Sequence, residues 1–250
     1  TMEKLKHISW ARLTVESVAI VASILLAFGI DAWWDNRQER VEEQLILGEL
    51  LKEFQNKKST LDLRTKSNNE ILEATKSLLV LSRNPETQLT REEMDRHLAE
   101  IYWYTPGGEW DAPVLQSLVN SGDIALISSP SLRTSLAAWA PKFEHIKQTL
   151  ATDRDYFSQI LEPFLINNTD MTQFNSVYIE APARPGSSLK SVYEDASQRA
   201  DHRSLLGNRL FENILLARAE SINDILTSAF RDVDVNLATT IRQIEAEVAE

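Results

Sequence analysis

Between Arg12 and Asp31 the chain runs for 18 residues, LTVESVAIVASILLAFGI, in which Glu16 is the one ionisable side chain. At 1.5 Å per residue a helix of this length measures about 27 Å, close to the roughly 30 Å hydrocarbon thickness of a bilayer. Trp10 precedes the run and Trp33 and Trp34 follow it, which is where interfacial aromatic belts lie. A buried helix of a soluble protein of this length would more usually carry a polar stripe. A cleaved signal peptide is the closer competitor: Lys4, Lys6 and Arg12 form a basic head, and Ala27-Phe28-Gly29 offers small residues for a signal peptidase. The retained segment with tryptophans on both flanks favours an uncleaved signal anchor.

Orientation follows from the basic tail. Lys4, Lys6 and Arg12 against Glu3 hold the N-terminus on the cytoplasmic side. The expected division is a cytoplasmic tail over 1–12, a transmembrane helix over 13–30 and a helical periplasmic domain over 31–250. That makes the chain a single-pass protein of a bacterial inner membrane, in contact with membrane lipid.

Within the span, Glu16, Ile20, Ser23, Ala27 and Ile30 fall within about 40° of one direction. Ala19, Ser23 and Ala27 add a ladder of small residues that lets helices approach closely in lipid. A carboxyl group in a span faces protein or water rather than acyl chains. Glu16 therefore has two readings. It sits inside a helix–helix packing face, or it lies shallow enough to reach headgroups or Arg12 four residues before it.

No proline occurs before Pro85, and Gly29 and Gly48 are the only glycines up to that point. The apolar positions Val41, Leu45, Leu47, Leu51 and Phe54 suit a helix that continues from the span, with a more polar stretch at 55–70. Thr90 with Glu93 spells a capping box. A helix ends near Asn120 before Gly122, and Ser129-Pro130 reads as a new cap and first turn. Pro141 must kink or split the next helix, which runs to about Leu165. Residues 167–190 look irregular, and a long terminal helix is expected from Arg203 to Glu250. Short β-prone pieces at 124–127 and 176–180 do not amount to strands. The fold class is all-α: one N-terminal transmembrane helix continuing into an extramembrane bundle of four to five helices.

Chemistry leaves few marks. There is no cysteine, so thiolate metal sites and cysteine nucleophiles are excluded. The net charge of −11 is carried by the residues after the span, and an acidic body repels nucleic acid. Seven glycines form no nucleotide-binding loop or nucleophile elbow. Glu93, His97 and Glu100 share a helix face, which reads better as a solvated polar face than as a metal site. No cofactor is expected, nor an enzyme. Tyr102, Trp103, Tyr104 and Trp110 surround Pro106-Gly107-Gly108 and offer a candidate partner or ligand surface, or else cap the end of the bundle core.

Two stretches carry a resemblance. VESVAIVASILLAFGIDAWWDNRQER, with Glu16, Asp31, Trp33, Trp34 and Arg37, resembles the opening of a family of uncharacterised bacterial single-span inner-membrane proteins. LQSLVNSGDIALISSPSLRTSLAAW, with Leu118, Ser121, Gly122, Ile127, Leu132 and Arg133, is similar to that family's second signature. The resemblance implies an N-terminal anchor, a Trp-containing exit element and a helical outer domain. The expected function is a non-catalytic structural or accessory protein of the envelope, a homo-oligomer or a subunit of a membrane complex. The alternative is a ligand-sensing outer domain that works through a partner membrane protein.

Overall fold

The computed structural model describes residues 10–84, 89–102, 109–178 and 200–249. Among the described residues the chain is all-α, with no strand. Helix α1 spans Trp10–Arg83, 74 residues without a break. It is about 110 Å long, long enough for an apolar N-terminal half and a packed C-terminal half. The polar stretch at 55–70 is helical as well, supported along its length by side-chain pairs such as Lys58–Asp62.

From Glu16 to Glu42 every residue of α1 is exposed; burial begins at Glu43. Beyond that point Leu47, Leu50, Phe54 and Leu61, and then Ile71, Leu72 and Leu78, face the bundle. The remaining helices are α2 (Arg91–Tyr102), α3 (Pro113–Ser121), α4 (Pro130–Ala137), α5 (Trp139–Tyr156), α6 (Glu162–Asn168), α7 (Met171–Asn175), α8 (Arg209–Asp224) and α9 (Arg231–Val248). α1 packs mainly on α8, α9 and α2. Its residues 47–61 enter a core with Trp139, Phe143 and Phe230. Ala74 and Leu78 enter a second core with Met94, Phe164, Phe174 and Phe211. Ile71, Leu72 and Ile222 lie between them along α1.

The helix breaks are chemically explicable. Gly122, at φ +86°, ends α3 in the left-handed region that glycine adopts without strain. The split expected at Pro141 falls at Ala138, which places the proline in the first turn of α5, where no donor is needed. A π turn at Phe157–Leu161 leads into α6, whose first turn holds Pro163; the wider ladder accommodates a residue that cannot donate.

The terminal helix starts later than its composition suggests. His202–Leu205 forms a 3₁₀ turn, Gly207 takes φ +78°, and Asn208 caps α8 by accepting from the Leu210 and Phe211 amides. From Arg209 the helix runs to Val248 through a π segment at Ile225–Phe230. The β-prone pieces are 3₁₀ turns at Asp123–Leu126 and Ser176–Tyr178. Part of the stretch expected to be irregular is helical, because Asp170 caps α7; residues 179–190 lie outside the described residues.

Thr90 and Glu93 form the reciprocal capping box, with the Thr90 amide 2.8 Å from the Glu93 carboxylate. Ser129 does not cap α4 with its side chain. The carboxylate of Glu43, arriving from α1, accepts from the Ser128 amide at 2.6 Å and its hydroxyl at 2.8 Å.

Candidate functional site

The apolar segment of α1 is long and apolar enough to cross a membrane, and none of it is buried inside the molecule. Ile20, Ile30, Trp33 and Trp34 are each more than half exposed. In a soluble environment so large a bare apolar surface is an association liability. Glu16, Ala19, Ile20, Ser23, Ala27 and Ile30 share one side of this helix, and Glu16 is exposed on it. The Ser23 hydroxyl donates to the Ala19 carbonyl at 2.8 Å, so it is satisfied within its own helix. The Trp33 and Trp34 rings lie 6.4 Å apart, with the Arg37 guanidinium 5.9 Å from the Trp33 ring centre. Trp10 is the first residue of α1.

Two buried carboxylates then fasten α1 to the bundle. Glu43 holds Ser128, as described. Glu53 accepts from the Val114 and Leu115 amides at 2.9 and 3.0 Å, at the start of α3, where Ala112 provides no side-chain cap. A carboxylate there satisfies two orphan donors and the positive end of the helix together. Around this point Arg133 donates to the Ile127 carbonyl at 2.5 Å, and Leu118, Ile127 and Leu132 are buried. The second signature stretch is therefore the corner on which α1 docks. Glu53→Ala is expected to destabilise the fold by about 1–3 kcal/mol, because it leaves buried amides unpaired; chemical denaturation followed by circular dichroism checks this.

Of the aromatic set, Trp110 is buried against Phe230, with ring centres 6.0 Å apart. Tyr102 is half-buried between Phe157 and Phe174, and its hydroxyl donates to Glu162 at 3.0 Å. Both rings belong to the bundle core, so neither forms an open surface. Trp103 and Tyr104 lie outside the described residues.

The cluster with the most catalytic look is Asp95, Gln173 and His202, all buried. His202 Nδ1 lies 2.6 Å from the Asp95 carboxylate, as in a general-base pair. Its Nε2, however, accepts the Asp170 amide at 2.9 Å. The proton must therefore sit on Nδ1 and the lone pair is taken. The Gln173 amide donates to Asp95 at 2.8 Å and to the Ala200 carbonyl at 3.0 Å. This network splices α2, α7 and the segment leading to α8; it offers no free base.

A second buried pair joins α5 to α8. Arg218 donates to Asp153, and the Ser221 hydroxyl donates to the same carboxylate at 2.7 Å. Beside it the Tyr156 hydroxyl donates to the Ile214 carbonyl at 2.8 Å. Burial pushes the phenol up to about 12 from its ordinary 10, against the opposing pull of Arg218. Its folded value exceeds its unfolded one, so its contribution to stability is complete below pH 10 and is lost as pH rises toward 12. Absorbance titration is expected to show a phenolate component near 12 that is missing in Tyr156→Phe.

Glu93 is engaged in its cap, and His97 Nδ1 lies 3.2 Å from Glu100. Among the described residues no three acidic or histidine side chains converge as metal ligands. A cleft of about 290 Å³ opens between α3 and the α4–α5 pair, with Leu115, Leu136 and Phe143 in its walls. Lys147 and Asp111 also line it, 2.6 Å apart, and the ammonium holds the Asp111 carboxyl below its ordinary range.

The buried polar residues were the part that sequence reasoning missed. Glu43 and Glu53 were legible in principle: each interrupts the face of α1 otherwise given to Leu47, Leu50 and Phe54. No protein-family model, curated protein or solved structure matches the chain.

Proposed function

We propose that this chain is a non-catalytic, single-pass protein of a bacterial inner membrane, anchored by α1. Its helical domain lies in the periplasm and assembles with itself or with a larger membrane complex. The observation that carries the reading is α1 itself: a bare apolar segment of spanning length that passes, with no break, into a helix buried in the bundle. Such a helix transmits position and rotation from lipid to the outer domain, which suits a structural subunit. The resemblance of both signature stretches to single-span bacterial proteins, and the tryptophans at the segment's ends, support it.

The test is fractionation of the full chain made in a Gram-negative cell. The protein is expected to float with membranes in a density gradient and to resist alkaline extraction. Recovery in the soluble fraction would contradict the proposal. The cleft beside α3 favours a second reading, a ligand-sensing outer domain acting through a partner span. Thermal stabilisation by a small amphiphile, lost in Leu136→Trp, would support that reading instead.

A further inference from the structure

The phase of α1 links its two halves. With Glu16 as origin and 100° per residue, Ile20, Ser23, Ala27 and Ile30 stay within about 40°. The stripe does not stop where the apolar segment ends. Trp34, Val41 and Leu45 fall within about 20° of the same direction. All three are exposed, at 60%, 56% and 67%. The bundle-facing residues Glu43, Leu47, Leu50, Phe54 and Leu61 point about 140–180° away from it, and they are buried. The bundle occupies one side of α1 and the stripe the opposite side, and none of the described residues covers the stripe. Lys52 and Asn56 take the same phase further on and end the apolar run.

The steps from Glu16 to Trp34 alternate four and three residues; after one repeated step of four to Gln38, Val41 and Leu45 follow at three and four, the rhythm of a coiled-coil seam with a single stutter, which leaves Arg37 and Glu42 on its flanks. The charges beside the stripe identify the occupant. Asp31, Glu42 and Glu49 lie about 60–80° to one side, and Arg37 about 60° to the other; all four are exposed. A two-fold axis parallel to the helices sets the acidic flank of each copy against the Arg37 flank of its mate. Arg37 then meets the residue five further along, Glu42, in the relation that flanking charges take across parallel coiled coils. An antiparallel pairing would set acid against acid. Two copies inserted the same way in one bilayer are parallel in any case.

We propose that a second copy of this chain docks on this face, forming a parallel homodimer. Its seam runs from Glu16 through Ile30 and is closed beyond the apolar segment by Trp34, Val41 and Leu45. Arg37 of each copy pairs with Glu42 of the other, and the two bundles point away from one another. The proposal rests on the membrane-anchored reading above and names the partner it left open.

The absence of native cysteine makes the test direct. Single-cysteine variants of the full chain, in native membranes, are oxidised mildly. Val41→Cys and Leu45→Cys are expected to give a cross-linked species of two chains, and Glu39→Cys, about 140° around the helix, is not. Arg37→Glu and Glu42→Arg are each expected to lower the Leu45→Cys yield about threefold or more, and the double reversal to restore it. Equal yields from Leu45→Cys and Glu39→Cys would overturn the dimer. So would a double reversal that restores nothing, or a Leu45→Cys product of some other mass. Flotation of each variant is measured alongside. Variants that float but do not cross-link contradict the dimer alone, whereas failure to float contradicts the membrane anchor and the dimer with it.

Discussion

Asp153→Ala is expected to cost about 3–5 kcal/mol of folding stability, because it strands a buried guanidinium without its counter-ion. Arg218 is 1% exposed and Asp153 is 4% exposed, so the pair sits out of contact with water. Its guanidinium lies 5.8 Å from the Phe157 ring centre, a contact far too weak to replace a carboxylate. The Ser221 hydroxyl loses its acceptor as well. The loss should appear as a lower denaturation midpoint. The double variant Asp153→Leu/Arg218→Met should be less destabilised than Asp153→Ala, since an apolar pair removes the unpaired charge together with its partner. A double variant that is worse than the single one would show that the ion pair is a net source of stability rather than a matched burial.

Trp139→Ala is expected to cost a similar amount, about 3–5 kcal/mol, for a different reason. Trp139 is the meeting point of three helices. Its ring stacks on Phe143 at 5.0 Å and stands edge-on to Phe54 of α1 at 5.2 Å. Its Nε1 donates to the Thr240 hydroxyl of α9 at 3.0 Å. Removing the indole opens a cavity and orphans a buried hydroxyl in one step. Trp139→Phe keeps most of the packing and gives up only the hydrogen bond, so about 1 kcal/mol is expected. If the two substitutions cost the same, the packing argument for this core fails. Equilibrium denaturation of both variants in the same detergent gives the comparison.

Much of the architecture was readable from the residues. The lack of proline before Pro85 and the scarcity of glycine announced one long helix, and α1 runs from Trp10 to Arg83. The Thr90–Glu93 box and the stop at Gly122 follow from local hydrogen-bond chemistry, which is why sequence alone reveals them. What escaped were features made by distant chain segments. Ser129 stands at the start of α4 as its sequence suggests, with no capping bond from its side chain, whereas the contact that Glu43 makes with the neighbouring Ser128 spans 85 residues and leaves no local signal. Trp110 was open to two readings, a loop surface or a cap on the core, and its burial against Phe230 depends on a segment far along the chain, the π turn at Ile225–Phe230. His202 and Asp95 stand 107 residues apart and carry no motif, so their network emerges only from packing. Helical phase is a local property, however. The opposition between the stripe at Trp34, Val41 and Leu45 and the face at Leu47, Leu50 and Phe54 was present in the spacing once the buried side was known.

The unbroken passage of α1 also has a mechanical consequence. A helix without proline or a π bulge over 74 residues resists sharp bending, so a rotation of its apolar half must turn its packed half. Glu43 and Glu53 are where that motion would be handed to the bundle, since each carboxylate joins α1 to another element by two hydrogen bonds.

A cysteine-accessibility ladder along α1 tests the membrane anchor most directly. The cysteine-free chain permits single substitutions at Ile20, Ala27, Glu39 and Leu63, probed in intact cells with a membrane-impermeant maleimide. Glu39→Cys and Leu63→Cys are expected to label from outside the inner membrane, and Ile20→Cys and Ala27→Cys only after the bilayer is dissolved. Labelling of Ile20→Cys and Ala27→Cys at the same rate as Leu63→Cys in intact membranes would contradict it.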